Sequence, residues 1–131
     1  MKIQNKYLKL AVETMMMTPC VYSDAKLRDI FGRNLLQAHK TYDEKRLSLC
    51  EQMCDKDDQG KPVTKDKNYV FSDTIKPEFD TKLTDLMNEE IEIPLRFGDA
   101  HRLKNMIEKT QYTPAVGEAE IIEAEFVNKI K

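Results

Sequence analysis

Apolar residues recur along the start of the chain at steps of three and four. Ile3, Tyr7, Leu8, Ala11, Met15 and Met16 share one helical face, which predicts a helix over residues 4–17 with Asn5 as its N-cap. Pro19 ends the run, because the residue before a proline is pushed out of the helical region. A second stripe follows Ser23 and Asp24, either of which can cap a helix. It comprises Leu27, Ile30, Phe31, Leu35, Ala38, Tyr42, Leu49 and Met53. No proline interrupts residues 24–54, and the single Gly32 comes early, so the pattern predicts one long helix. At 1.5 Å per residue such a helix is about 45 Å long. That exceeds the width of a compact domain of this size. It must project, pair with another helix, or break near Gly32 or at Lys45 and Arg46, where charge crosses the stripe.

Residues 55–67 are polar, contain Gly60 and Pro62, and predict a loop. Tyr69, Val70 and Phe71 are β-prone. Pro77 suits a first helical turn, and Phe79, Leu83, Leu86 and Met87 have helical spacing, which predicts a helix over 77–90. EIEIPL, residues 90–95, alternates polar and apolar and predicts a short strand. Its expected partner is 68–72, in a two-stranded ribbon, with Pro94 excluding a central position. Asp99 caps a predicted helix over 100–110. Thr113-Pro114 reads as a further helix start, and Ile122, Phe126 and Ile130 at steps of four predict a closing helix. Gly117 and the β-branched residues pull against that last helix. The expected fold is mainly α: a single helical domain, 1–131, with one long helix and a short two-stranded β element.

Composition narrows the functional classes. The chain has 131 residues and is 40% hydrophobic, enough for one core. Its 21 Lys and Arg against 23 Asp and Glu give a net charge of -2. This balance offers no global pull toward nucleic acid or anionic membrane, and direct nucleic-acid binding is not expected. Lys6, Lys9 and Glu13 break the first 17 residues, so no secretory leader is expected. No segment approaches the roughly 18 apolar residues of a membrane span. Three cysteines without framework spacing favour a reducing compartment.

One stretch imitates a metal site. DKDDQGKPVTKD, residues 55–66, places Asp55, Asp57 and Gln59 at positions 1, 3 and 5 of a calcium loop, Gly60 at 6 and Asp66 at 12. Three features oppose it. Pro62 removes an N–H at position 8, Val63 offers no oxygen at position 9, and Asp66 is one methylene shorter than the usual Glu. The competing reading is a polar turn that ends the long helix. Cys50 and Cys54, one helical turn apart, supply half of a zinc site at most, and otherwise read as small buried hydrophobes. His39 and His101 stand alone. The chain has no G-x-S-x-G, P-loop or G-x-G-x-x-G pattern. The expectation is a non-enzymatic protein with no cofactor.

Met15, Met16 and Met17 together wrap most of a helical turn, so they cannot all face one core. Methionine-rich surfaces re-pack around different partners. Met15, Met16 and Met17, with Phe31, Leu35 and Tyr42 on the long helix, are the candidate interaction residues.

The order of segments carries one resemblance. A long Arg- and Lys-bearing helix with Tyr42 and Arg46 precedes a polar turn and a short segment holding Tyr69. FDTKLTDLMNEEIEIPL and the closing TPAVGEAEII follow. The arrangement resembles a family of small proteins from tailed phages and prophages of Gram-positive bacteria that has no established activity. The resemblance implies a phage-encoded protein of the bacterial cytoplasm or the virion. The resemblance implies no function; the helical surfaces and the lack of a convergent site lead to the expectation of protein–protein interaction, as a virion assembly or structural accessory. The exposed length of the long helix predicts self-association, with antiparallel helix pairing in a homodimer. The alternative is an inhibitor of a host defence or nucleic-acid enzyme, acting through the acidic patches Asp55, Asp57, Asp58 and Glu89, Glu90, Glu92.

Overall fold

The computed structural model describes residues 1–110 and 113–131. Strand β1 (Lys2–Gln4) leads through a 3-10 turn to helix α1 (Leu8–Met16), and α2 spans Tyr22–Met53. Strands β2 (Thr64–Lys65) and β3 (Asn68–Tyr69) precede α3 (Lys76–Asn88) and β4 (Glu90–Glu92). Helices α4 (Asp99–Glu108) and α5 (Ala119–Glu125) follow, and a 3-10 turn at Val127–Lys129 comes last. The fold is mainly α, with one long helix and two small antiparallel ribbons. Among the described residues no helix is long and apolar enough to cross a membrane.

Two compact units share the chain: residues 1–40 with 90–131, and residues 41–89. Helix α2 belongs to both and runs unbroken through Gly32 and Lys45. At 1.5 Å per residue its 32 residues measure about 48 Å. Gly32 is tolerated because a Cβ there would meet nothing within 4 Å.

Unit 1 has a helical core. Leu8, Ala11 and Met15 bury one face of α1 at the predicted spacing and Val12 joins them, whereas Met16, expected on that face, is exposed. Phe31 and Leu35 of α2, Leu103 and Ile107 of α4, and Ile122 of α5 join them. The Phe31 and Phe126 rings stack with centroids 6.2 Å apart, a pairing worth about 0.5–1.5 kcal/mol beyond its burial. The chain start departs from expectation. Residues 2–4 form a strand, Asn5 is buried inside the 3-10 turn, and the helix begins only at Leu8. Ile3 satisfies the helical spacing but also alternates with exposed Lys2, and cross-strand pairing decides between the two.

The strand pairing is a correction. β4 pairs with β1, in the register Lys2↔Glu92, Ile3↔Ile91 and Gln4↔Glu90, and residues 68–72 are not its partner. Ile93 N–H extends this ladder to Met1 O at 2.8 Å, and the Met1 amino group donates to Ile93 O at 2.9 Å. β3 pairs instead with its sequence neighbour β2, Thr64 opposite Tyr69. A two-residue turn at Asp66 and Lys67, with φ of 52° and 67°, closes that hairpin. Short-range closure costs less chain entropy than pairing across an intervening helix.

The C-terminal segment is corrected as well. Thr113 and Pro114 start no helix; Gly117 turns the chain at φ 87°, and α5 begins at Ala119. It stops at Glu125, where Phe126 leaves helical geometry at φ -123°, ψ -67°. Ile122, Phe126 and Ile130 are nevertheless all buried, so their spacing marked a buried face rather than a continuous helix.

Unit 2 combines the last turns of α2 with the β2–β3 hairpin and α3. Its buried apolar residues are Cys54 and Phe79. Phe71 stacks on Phe79 at 4.1 Å, and the Lys76 ammonium lies 5.3 and 5.2 Å from the two ring centroids.

Candidate functional site

Several exposed apolar side chains stand at the junction between α1 and α2. Successive helical residues point about 100° apart, so three consecutive methionines must diverge. Met15 is 1% exposed, Met16 77% and Met17 57%. The helix ends there for identifiable reasons. Thr18 Oγ1 donates to Thr14 O at 2.7 Å, and Pro19 cannot continue the turn. Arg28 of α2 donates Nη1–H to Thr18 O at 3.2 Å, placing a cation at the negative end of α1. The chain then re-enters helix at Tyr22, leaving Val21 66% and Tyr22 96% exposed.

Beside the junction, α1 and α2 enclose a hollow of about 560 Å3, with Val12, Met16, Gly32 and Leu36 as its apolar wall and Arg28 and Arg33 at its edge. Gly32 lets the two helices leave open space there, since no side chain fills it. On the other side, Pro19, Cys20 and Val21 face Met106 of α4 and Lys109 just beyond its end across about 470 Å3. The Arg102–Asp24 ion pair, at 2.7 Å, ties α4 to the first turn of α2.

The structure brings together only part of the residues singled out from the sequence. Met16 and Met17 lie on the exposed junction, while Met15, Phe31 and Leu35 are core residues of unit 1. Tyr42 belongs to unit 2 and is half-buried, and that burial raises its pKa above the ordinary 10.0. Val21, Tyr22 and Leu36 complete the exposed surface and were missed. Val21 and Tyr22 follow a proline outside any periodic run, so only their apolar character between two helices signalled them.

The acidic loop is a folded turn. Asp57 Oδ1 accepts the backbone N–H groups of Gln59 and Lys61 at 2.8 and 2.9 Å, and Gly60 N–H donates to Asp57 O. Lys56 bridges to Pro62, and Val63 N–H donates to Asp55 O at 2.8 Å. One oxygen of the Asp57 carboxylate is therefore committed to the backbone. Asp66 sits in the left-handed region at the hairpin turn. Among the described residues no three His, Cys, Asp or Glu side chains converge to hold a metal ion, the set Asp55, Asp57 and Asp66 included.

Cys54 is buried, and its Sγ contacts Glu51 O at 3.7 Å. Lys56 Nζ reaches Cys54 Sγ at 3.4 Å and Cys54 O at 3.0 Å, closing the end of α2. Burial raises the Cys50 pKa above 9.0, against a smaller lowering by Arg46, and so favours the neutral thiol. His101 Nε2 lies 3.1 Å from Asn105 Nδ2 on the exposed side of α4.

No family model matches this chain, and no curated protein or solved structure matches it significantly.

Proposed function

We propose that this protein acts by protein–protein contact rather than catalysis, as a phage-type accessory of virion assembly or structure in the bacterial host cell. One observation carries the reading. Met16, Met17, Val21 and Tyr22 stand largely in solvent on a junction held rigid from beneath by Thr18, Arg28 and the α1 core. Clustered exposed apolar side chains on a fixed scaffold are the usual mark of an interaction surface. Methionine adapts to partner shape, and tyrosine contributes area at low entropic cost. The resemblance of the segment order to small tailed-phage proteins supports the virion version.

The alternative, inhibition of a host enzyme through acidic patches, draws on unit 2, where 12 Asp and Glu outnumber 8 Lys and Arg. It has less support. One Asp57 oxygen is occupied by backbone N–H groups, Glu89 pairs with Lys45 at 3.8 Å, and Glu92 pairs with the Met1 amino group at 3.1 Å.

Photo-crosslinking separates the two. A photoreactive residue placed at Met17 in virus-producing cells should yield adducts with a virion component. Adducts from position Asp58 alone, with a host nuclease or defence enzyme, would favour the alternative.

A further inference from the structure

Unit 1 carries a second surface with a more specific character. A hollow of about 530 Å3 lies between the first turns of α2, the segment after β4 and the start of α4. Leu27, Ile30, Pro94 and Leu95 form its apolar wall. Three cations surround it: Lys26, Arg96 and Arg102. Arg102 is occupied by Asp24 at 2.7 Å and Asp99 at 3.9 Å. Lys26 and Arg96 are exposed and pair with no carboxylate among the described residues. The hollow is aliphatic, with two unneutralised positive charges at its rim.

The reciprocal pattern stands on α5 of the same unit. Ile122 and, beyond its end, Phe126 face the core, while Glu120, Ile121, Glu123 and Ala124 are exposed. Ile121 and Ala124 lie one turn apart on the helix surface, with Glu120 and Glu123 beside them. Neither glutamate forms an ion pair among the described residues. An exposed isoleucine between acids matches an aliphatic hollow between cations in both polarity and charge.

We infer that a second copy of this chain seats α5 in the hollow. Ile121 meets Leu27, Ile30 and Leu95, and Glu120 and Glu123 meet Lys26 and Arg96. The two surfaces differ, so a single contact leaves one copy's hollow and the other copy's α5 free. Such a contact closes a two-fold dimer where the two surfaces engage reciprocally, and builds rings or open chains where they do not. The inference rests on the reading of this protein as an interaction protein and names the chain itself as a partner.

Sedimentation of the purified full chain at low salt tests it, from about 10 μM to about 1 mM, the range suited to a small interface. The average mass should climb above the monomer with concentration. It should return to monomer near ~0.5 M NaCl, where the screening length falls to a few ångströms. The charge reversals Lys26→Glu with Arg96→Glu, and Glu120→Lys with Glu123→Lys, should each weaken association at least about tenfold while retaining the wild-type circular dichroism. Mixing the two variants should restore it, because each hollow then matches the other's α5. A monomer at every concentration, or mixed variants that stay apart, would overturn the inference. A monomeric chain that still crosslinks to a virion component through Met17 leaves the proposed function standing, and a self-associating chain that crosslinks to nothing else does the reverse.

Discussion

The two units bury apolar surface very unequally. Among the described residues, sixteen buried apolar side chains belong to unit 1, and unit 2 has Cys54 and Phe79. Unit 2 instead relies on an aromatic stack under a lysine, a hairpin and exposed ion pairs such as Lys76–Asp80 and Glu78–Lys82. Exposed pairs of this kind contribute about 0–1 kcal/mol each. Segments with few buried contacts open at lower free energy than the global transition. Unit 1 thus holds nearly all of the buried apolar residues, and both proposed contact surfaces sit on it.

The sharpest way to break this comparison is to delete one aromatic from each unit. Phe31→Ala removes the stack with Phe126 and should cost about 3–5 kcal/mol, lowering the urea midpoint of unit 1. Phe79→Ala should cost about 3 kcal/mol, the lower end of the same range, because a thin core leaves less of a cavity behind. Hydrogen exchange should then show α3 and the β2–β3 hairpin unprotected while α1 and α4 keep wild-type protection. Equal loss in both units would mean that their stabilities are not separable.

A smaller effect of opposite sign sharpens the picture. Lys67 holds φ 67° in a two-residue turn where glycine is favoured. Lys67→Gly relieves that strain and should stabilise the hairpin by about 1 kcal/mol, after the added entropy cost of glycine. Slower exchange at the Tyr69 and Val70 amides would register it.

The smallest effect is a pH dependence confined to unit 2. Tyr42, Cys50 and Tyr69 all lie there, and burial is the first cause raising each pKa above the ordinary 10.0, 9.0 and 10.0; the Glu51 carboxylate adds to it at Tyr69. An acid with a higher folded than unfolded pKa contributes fully below the unfolded value and loses that contribution as pH rises through the folded one. The unit 2 transition in urea should therefore fall to lower midpoints above about pH 9. Tyr42→Phe with Cys50→Ser should flatten the trend.

The sequence made the helices legible and left the pairings obscure, for physical reasons. The stripe from Leu27 to Met53 without proline marked α2, and the 100° step between residues implied that the three methionines diverge. Pro19 and the Leu103–Ile107 spacing placed further helix limits. Strand partners are long-range choices that local alternation does not encode, so EIEIPL pointed to a strand but not to Lys2–Gln4. The DKDDQG stretch could be read as metal loop or polar turn because carboxylates serve both, and the Asp57 hydrogen bonds to the Gln59 and Lys61 N–H groups are visible only in three dimensions. The junction surface was partly legible: three consecutive methionines cannot all face one core, but periodicity placed Met16 on the buried face, and only apolar character marked Val21 and Tyr22.

The central claim is that the exposed junction is the functional surface. Affinity capture from virus-producing cells tests it most directly, comparing the wild-type chain with Met16→Lys/Tyr22→Lys. Both positions are exposed enough that the substitutions should change stability by less than about 0.5 kcal/mol. The account predicts that a virion component copurifies with the wild type and that the variant, equally folded, loses it. Undiminished capture by the variant would contradict the account.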